Sequence, residues 1–79
     1  MNIDRLVTTI GAVLLQQEAY LDEQRTALDL ATREASYTRM VLRAAEIHRT
    51  HKTQQSRENL RSALEKGGER WAEAARDLE

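Results

Sequence analysis

Both histidines of the chain lie in one short polar segment, residues 45–59 (AEIHRTHKTQQSREN). His48 and His51 are three residues apart, so on a helix they share a face, with Glu46 nearby. Imidazole and carboxylate groups bind zinc, but zinc needs about four ligands at fixed geometry, and neither a Cys/His spacing nor an H-E-x-x-H pattern is present. The segment therefore predicts no metal site and no cofactor. It is typical of a polar bend with histidines exposed at a helix end.

Basic residues are concentrated in the middle of the chain. Residues 35–61 carry six Lys or Arg against two Glu, whereas residues 1–34 and 62–79 are each net acidic. Four of these cations are candidates for contact with phosphates or with an acidic partner: Arg39, Arg43, Arg49 and Lys52. Nucleic-acid binding would favour a denser basic stripe, interleaved aromatic residues or a helix-turn-helix pattern. The sequence has none of these, so a charge-paired surface is the simpler interpretation.

Nothing in the sequence predicts catalysis. Ser36, Ser56 and Ser62 lack the framework of an activated nucleophile, and the chain has no cysteine and no glycine-rich phosphate loop. A chain of 79 residues is also too short to enclose a substrate. We therefore expect no enzyme activity and no small-molecule substrate.

Composition predicts one small all-α domain. Proline is absent, glycine is rare, and Ala, Leu, Glu, Arg and Gln dominate, which are good helix formers. So short a chain has a thin stability margin, and without cysteine it cannot add disulfides. Association is then the expected source of extra stability. Arginine outnumbers lysine, which is typical of GC-rich bacterial or phage genomes.

The apolar run at residues 6–15 (LVTTIGAVLL) lies where a signal peptide would lie. However, Asp4 offsets Arg5 before it, no A-x-A cleavage pattern follows, and the run is shorter than the ~20 residues that span a bilayer. We expect a cytoplasmic protein, with membrane binding through an in-plane helix as a minor alternative.

A seven-residue apolar repeat holds from Ile3 through Ala45 and predicts one helix over about residues 3–50, roughly 70 Å long. A polar bend is expected at about residues 50–56 and a second helix at about 57–78. The sequence leaves open whether Gly67-Gly68 breaks that second helix. The predicted fold is a long N-terminal helix with a shorter C-terminal helix folded back on it, as an antiparallel helical hairpin or coiled coil.

A reversal near Thr53 brings large side chains of the second helix onto small ones of the first. Trp71 would then face Ala35, Leu64 would lie near Leu42, and Leu78 near Leu28, which is the alternation that cores need. Ser56 is expected to cap the second helix. The predicted hairpin core comprises Leu28, Ala35, Leu42, Leu64, Trp71 and Leu78.

The hairpin would leave the N-terminal part of the first helix overhanging, with an exposed apolar stripe that predicts association. Its residues are the predicted intermolecular interface: Ile3, Leu6, Val7, Ile10, Val13 and Leu14. The partner would be a second copy of the chain, giving a homo-oligomer, or a helix of another protein. Gln17 and Gln24 interrupt this stripe, either as a wet stretch or as a device that fixes register. The segment from Leu28 to Ile47 is apolar on two sides, so we expect it to contact two other helices. Its second stripe comprises Leu30, Tyr37, Met40, Ala44 and Ile47.

An alternative architecture is a three-helix bundle with an extra turn near residues 23–26, capped by Thr26, which would cover the N-terminal stripe within one chain. For function, the patterns favour a non-enzymatic protein–protein interaction module of adaptor, co-chaperone or inhibitor type that acts through helix–helix association. The alternatives are a nucleic-acid accessory protein that uses the basic middle segment and a purely structural, self-assembling coiled coil.

Overall fold

The computed structural model describes residues 2–24 and 29–78, and those residues form helices and turns without a strand. Four helices follow one another: α1 (Ile3–Gln24), α2 (Asp29–His51), α3 (Gln54–Lys66) and α4 (Glu69–Asp77). The all-α prediction is confirmed.

The structure does not have the single helix that was predicted over residues 3–50. Such a helix would be about 70 Å long, whereas the longest dimension of the molecule is 40 Å. Instead α1 lies antiparallel against α2, with Ile3 near His48 at one end and Tyr20 near Ala31 at the other. Residues 25–28, which include the predicted cap Thr26, lie outside the described residues.

The first turn of α1 is capped by the residue that precedes it. The Asn2 Oδ1 atom accepts hydrogen bonds from the backbone N–H groups of Asp4 at 3.0 Å and Arg5 at 3.3 Å. These are donors that would otherwise lack an intrahelical partner. Asp4 adds a negative charge at the positive end of the helix dipole.

A two-residue turn, Lys52-Thr53, joins α2 to α3, so the bend predicted at residues 50–56 is much shorter than expected. Lys52 has φ 50°, the left-handed conformation that commonly ends a helix. Thr53, rather than the predicted Ser56, is the N-cap of α3: its hydroxyl accepts the Ser56 N–H at 3.0 Å. The Ser56 hydroxyl accepts the Thr53 N–H at 3.1 Å, which completes a capping box.

Gly67-Gly68 breaks the predicted second helix into α3 and α4. Gly68 has φ 84° and ψ −164°, a conformation that is essentially restricted to glycine. A Cβ atom on Gly67 would lie 2.5 Å from Cδ1 of Trp71. One glycine is thus required by the backbone conformation and the other by the close approach of the indole ring.

The break turns α4 back along α3. Arg57, in the first turn of α3, donates its Nε–H to the carbonyl oxygen of Leu78 at 3.1 Å, and its Nη2 donates to the same oxygen. Leu78 therefore lies near the α2–α3 turn, and not at the opposite end of the molecule as the simple hairpin predicted. Leu28, its predicted partner, lies outside the described residues.

All four helices contribute to one hydrophobic core, whose buried members are Leu6, Ile10, Val41, Ala45, Leu60, Ala63, Leu64, Trp71 and Ala75. Of the predicted hairpin core, Ala35, Leu64 and Trp71 are buried, while Leu42 and Leu78 are partly buried and pack against the core. The radius of gyration is 12.8 Å, close to the roughly 12 Å of a compact chain of this length. The molecule is therefore compact without a second chain.

Candidate functional site

The predicted intermolecular stripe lies inside the molecule. Leu6, Ile10 and Leu14 are buried, and Ile10 is 0% exposed. Ile3, Val7 and Val13 are partly buried and pack against the core. The exposed overhang on which the interface prediction rested is therefore not present, because α2 and the core of the same chain cover this face of α1.

A different apolar stripe remains on the surface, and it belongs to α2. Tyr37, Met40 and Ile47 are 48%, 39% and 44% exposed. Ala44 lies between them in sequence and is partly buried against the core. The spacing of three, four and three residues places all four on one side of the helix. We call these four residues the α2 stripe; the side chain of Leu30, which the sequence also assigned to it, is not described.

The opposite face of α2 is committed to the core. Ala35, Thr38, Val41 and Ala45 are all buried, at intervals of three or four residues. The one polar member, Thr38, donates its hydroxyl to the carbonyl oxygen of Glu34 at 2.9 Å, so its burial leaves no unpaired donor. With its core face fixed in this way, α2 cannot rotate to bury the stripe.

The surroundings of the α2 stripe are predominantly basic. Arg33, Arg43 and His51 are exposed and lie on the same side of α2 as the stripe. A shallow groove of about 290 Å³ runs beside Ile47, and its walls are Arg43, Glu46, Ile47, Thr50 and His51. An apolar strip with basic margins favours a partner whose own margins are acidic.

A larger cleft of about 770 Å³ lies at the α2–α3 turn. Its lining combines two apolar side chains with polar and mostly basic ones: Ile3, His48, Lys52, Thr53, Gln54, Arg57, Glu58, Arg61 and Leu78. Arg57 is already bound to the Leu78 carbonyl oxygen at the edge of this cleft. The contact between Arg57 and Leu78 therefore holds the end of α4 against the α2–α3 turn.

His48 has a structural contact that the sequence did not reveal. Its Nδ1 atom lies 2.8 Å from the Ser56 hydroxyl oxygen, across the turn. That hydroxyl already donates to the Thr53 carbonyl oxygen at 2.9 Å. His48 is half-buried and ties α2 to α3, rather than being solvated as expected, whereas His51 is exposed.

The structure does not gather the four cations proposed for phosphate or acidic-partner contacts. All four are exposed. Lys52 lines the cleft at the turn, and Arg43 lines the groove beside Ile47, while Arg39 and Arg49 line neither. Within the described residues, no group of three or more His, Cys, Asp or Glu side chains is arranged to hold a metal ion.

Gln17, which the sequence analysis assigned either to a wet stretch or to a device that fixes register, lines a groove together with Val13, Tyr20, Ala31 and Arg70, among others. Its Oε1 atom is buried and has no hydrogen-bond partner among the described residues. A buried acceptor without a partner costs about 1–3 kcal/mol. The role of Gln17 in fixing register stays a prediction.

Comparison with other proteins does not extend this description, since neither a family model, nor a curated protein, nor a solved structure matches the chain. None of the helices in the described part of the chain combines the length and the apolar character needed to cross a bilayer. The centre of the candidate site is the α2 stripe.

Proposed function

We propose that the protein is a non-enzymatic interaction module that binds a helix of a partner protein along the α2 stripe. The observation that carries this proposal is the exposure of Tyr37, Met40 and Ile47 on one side of a helix whose other side is fixed in the core. Side chains at such intervals form the apolar face that a second amphipathic helix buries in helix–helix recognition.

The residue types support a binding surface. Tyr and Met are enriched at protein interfaces, where Tyr adds apolar area and a polar group and Met adapts to irregular surfaces. Burying apolar side chains yields about 25 cal/mol per Å² removed from water, so three large residues in line supply a useful driving force. The basic margins formed by Arg33 and Arg43 would orient a partner with acidic margins.

This role is that of an adaptor, co-chaperone or inhibitor in the cytoplasm, and its partner is a helix of another protein or of a second copy. The proposed intermolecular surface is the α2 stripe and not the stripe predicted on α1, because Leu6, Ile10 and Leu14 are buried in the core. A purely structural, self-assembling coiled coil is the simplest alternative of the same kind.

Site-specific photo-crosslinking in native-host cells tests the proposal. A photoreactive phenylalanine analogue replaces Tyr37 in one sample and Arg49, also exposed on α2, in a matched control. We expect a discrete adduct from position 37, absent from position 49 and lost when Met40→Glu is added. Equal adducts from both positions, or none from position 37, would contradict the proposal. Adducts that contain only this chain would favour self-assembly.

A nucleic-acid accessory role is the second candidate, and the exposure of Arg39, Arg43, Arg49 and Lys52 favours it. Phosphate contacts release counterions, so binding to DNA or RNA would fall steeply with salt. Measuring binding of a duplex and of a single strand over a salt series decides the matter. Absence of binding at low salt would rule the second candidate out.

A further inference from the structure

The outer face of α1 carries a stripe of its own. Thr8, Ala12, Leu15 and Ala19 are all exposed and follow one another at intervals of four, three and four residues. Leu15 is 71% exposed, more than Tyr37, Met40 or Ile47. We call these four residues the α1 outer stripe, because they lie on the side of the helix away from buried Ile10.

The α1 outer stripe and the α2 stripe are complementary in size. The first consists of small side chains around one leucine, whereas the second presents Tyr37, Met40 and Ile47. Small residues let a facing helix approach closely and leave space for its large side chains. The lengths also agree, at about 16 Å from Thr8 to Ala19 and about 15 Å from Tyr37 to Ile47.

The two helices are complementary in charge as well. Helix α1 contains one arginine against four acidic residues, whereas α2 contains four arginines against three acidic residues. Near the α1 outer stripe, Asp4, Arg5 and Asp22 are exposed, which is two acidic residues against one basic residue. The α2 stripe has Arg33 and Arg43 at its margins. Opposite charges at the margins of an apolar contact guide its orientation and discourage each stripe from pairing with itself.

We propose that a second copy of this chain is a partner for the α2 stripe, and that it docks through its α1 outer stripe. This inference rests on the proposed function, since it uses the same α2 stripe, and it adds the identity and surface of one occupant. The contact joins two different faces, so each copy has one face of each kind. Such a heterologous contact extends to further copies unless its rotation closes a ring.

Two single variants separate the two faces. Leu15→Glu places a carboxylate in the α1 outer stripe and leaves the α2 stripe intact, and Met40→Glu does the reverse. An unpaired carboxylate buried in an apolar contact should lower the affinity of that contact by roughly tenfold or more. Gln16→Glu is the matched control, because it adds the same charge to an exposed position of α1 outside the stripe. Circular dichroism checks that each variant keeps its helix content.

Sedimentation velocity over a concentration series is the readout. We expect wild type and Gln16→Glu to self-associate, and each of Leu15→Glu and Met40→Glu to remain monomeric alone. An equimolar mixture of those two variants should form a dimer and nothing larger, because one intact contact remains, made by α1 of the Met40→Glu chain and α2 of the Leu15→Glu chain. Added salt should weaken the association of wild type.

Three results would overturn the inference: a monomeric wild type at every concentration, self-association of Leu15→Glu equal to that of wild type, or a mixture in which both variants stay monomeric. None of them decides the proposed function. A partner adduct from position 37 in the crosslinking experiment would still support binding of another protein's helix to the α2 stripe. Loss of that adduct together with a monomeric wild type would remove both proposals.

Discussion

At the residue scale, the reversals from α2 to α3 and from α3 to α4 each depend on a few atoms. The first reversal, at Lys52-Thr53, depends on the hydroxyl of Ser56, which joins Thr53 and His48. The second depends on Gly67 and Gly68, one for space beside Trp71 and the other for its backbone conformation. Stability should therefore be unusually sensitive to conservative substitutions at these positions.

Gly68→Ala should lower the free energy of unfolding by about 1–3 kcal/mol, because alanine cannot adopt φ 84° and ψ −164° without strain. Urea unfolding followed by circular dichroism measures the change. Gly11→Ala is the control: a Cβ atom there meets nothing within 4 Å, and alanine is the better helix former by about 1 kcal/mol. Equal effects of the two substitutions would show that α3 and α4 are not separated at Gly68.

Ser56→Ala removes three hydrogen bonds of a buried hydroxyl at the α2–α3 turn. We expect a loss of about 1–2 kcal/mol in the free energy of unfolding, since the Ser56 half of the capping box is lost and the Thr53 N–H loses its partner. The same urea titration on Ser62→Ala, an exposed position of α3, should show a change of at most about 0.5 kcal/mol in either direction. A Ser56→Ala protein as stable as wild type would mean that the turn does not hold the two helices.

At the element scale, α1 has an inner apolar face and an outer one, and only the inner face is covered. The heptad pattern identified Ile3, Leu6 and Ile10 as an apolar stripe that must be buried. The pattern does not indicate whether the same chain or another chain buries it. No glycine or proline lies between α1 and α2, so the apolar periodicity alone does not indicate that α1 ends at Gln24. In the structure these residues are buried or partly buried against the core of the same chain, so the exposed overhang behind the assignment of this stripe to a partner is absent.

Other parts of the fold could be predicted from the sequence because a local signal existed. Polar residues and the end of the apolar pattern located the turn near Thr53, and Trp71, Leu64 and Ala35 are buried. The predicted packing of Trp71 on Ala35 stays a prediction, since the backbone of α4 lies close to α3 and not to α2. The reversal at Gly67-Gly68 stayed open because the apolar phase continues across it. The bond between His48 and Ser56 could not be predicted, since it exists only once the turn has been placed to within a residue.

Alanine substitutions distinguish the two faces of α1. Ile10→Ala should reduce the free energy of unfolding by about 2–5 kcal/mol, because it leaves a cavity in the core. Leu15→Ala should change it by at most about 0.5 kcal/mol at a concentration where the chain is monomeric. Thermal and urea unfolding of both variants provide the comparison. Similar small losses for both would indicate that the inner face of α1 is not buried within one chain.

At the scale of the whole molecule, the folding back of α1 decides which surface remains for a partner. If α1 covers the core, its inner face is used and the α2 stripe is the apolar surface left along a helix that cannot turn. If α1 instead continued α2 as one long helix, Ile10 and its neighbours would be exposed and would become the contact surface. The proposed function therefore depends on the position of α1.

The most direct test is the distance between spin labels at Thr9 and Arg49, measured by double electron–electron resonance. Both positions are exposed, and the chain has no native cysteine, so Thr9→Cys and Arg49→Cys label cleanly. Dilution with unlabelled protein removes distances between copies. We predict a single distance well below the 40 Å length of the molecule. A distance near 60 Å, which a continuous helix requires over 40 residues at about 1.5 Å each, would contradict the account.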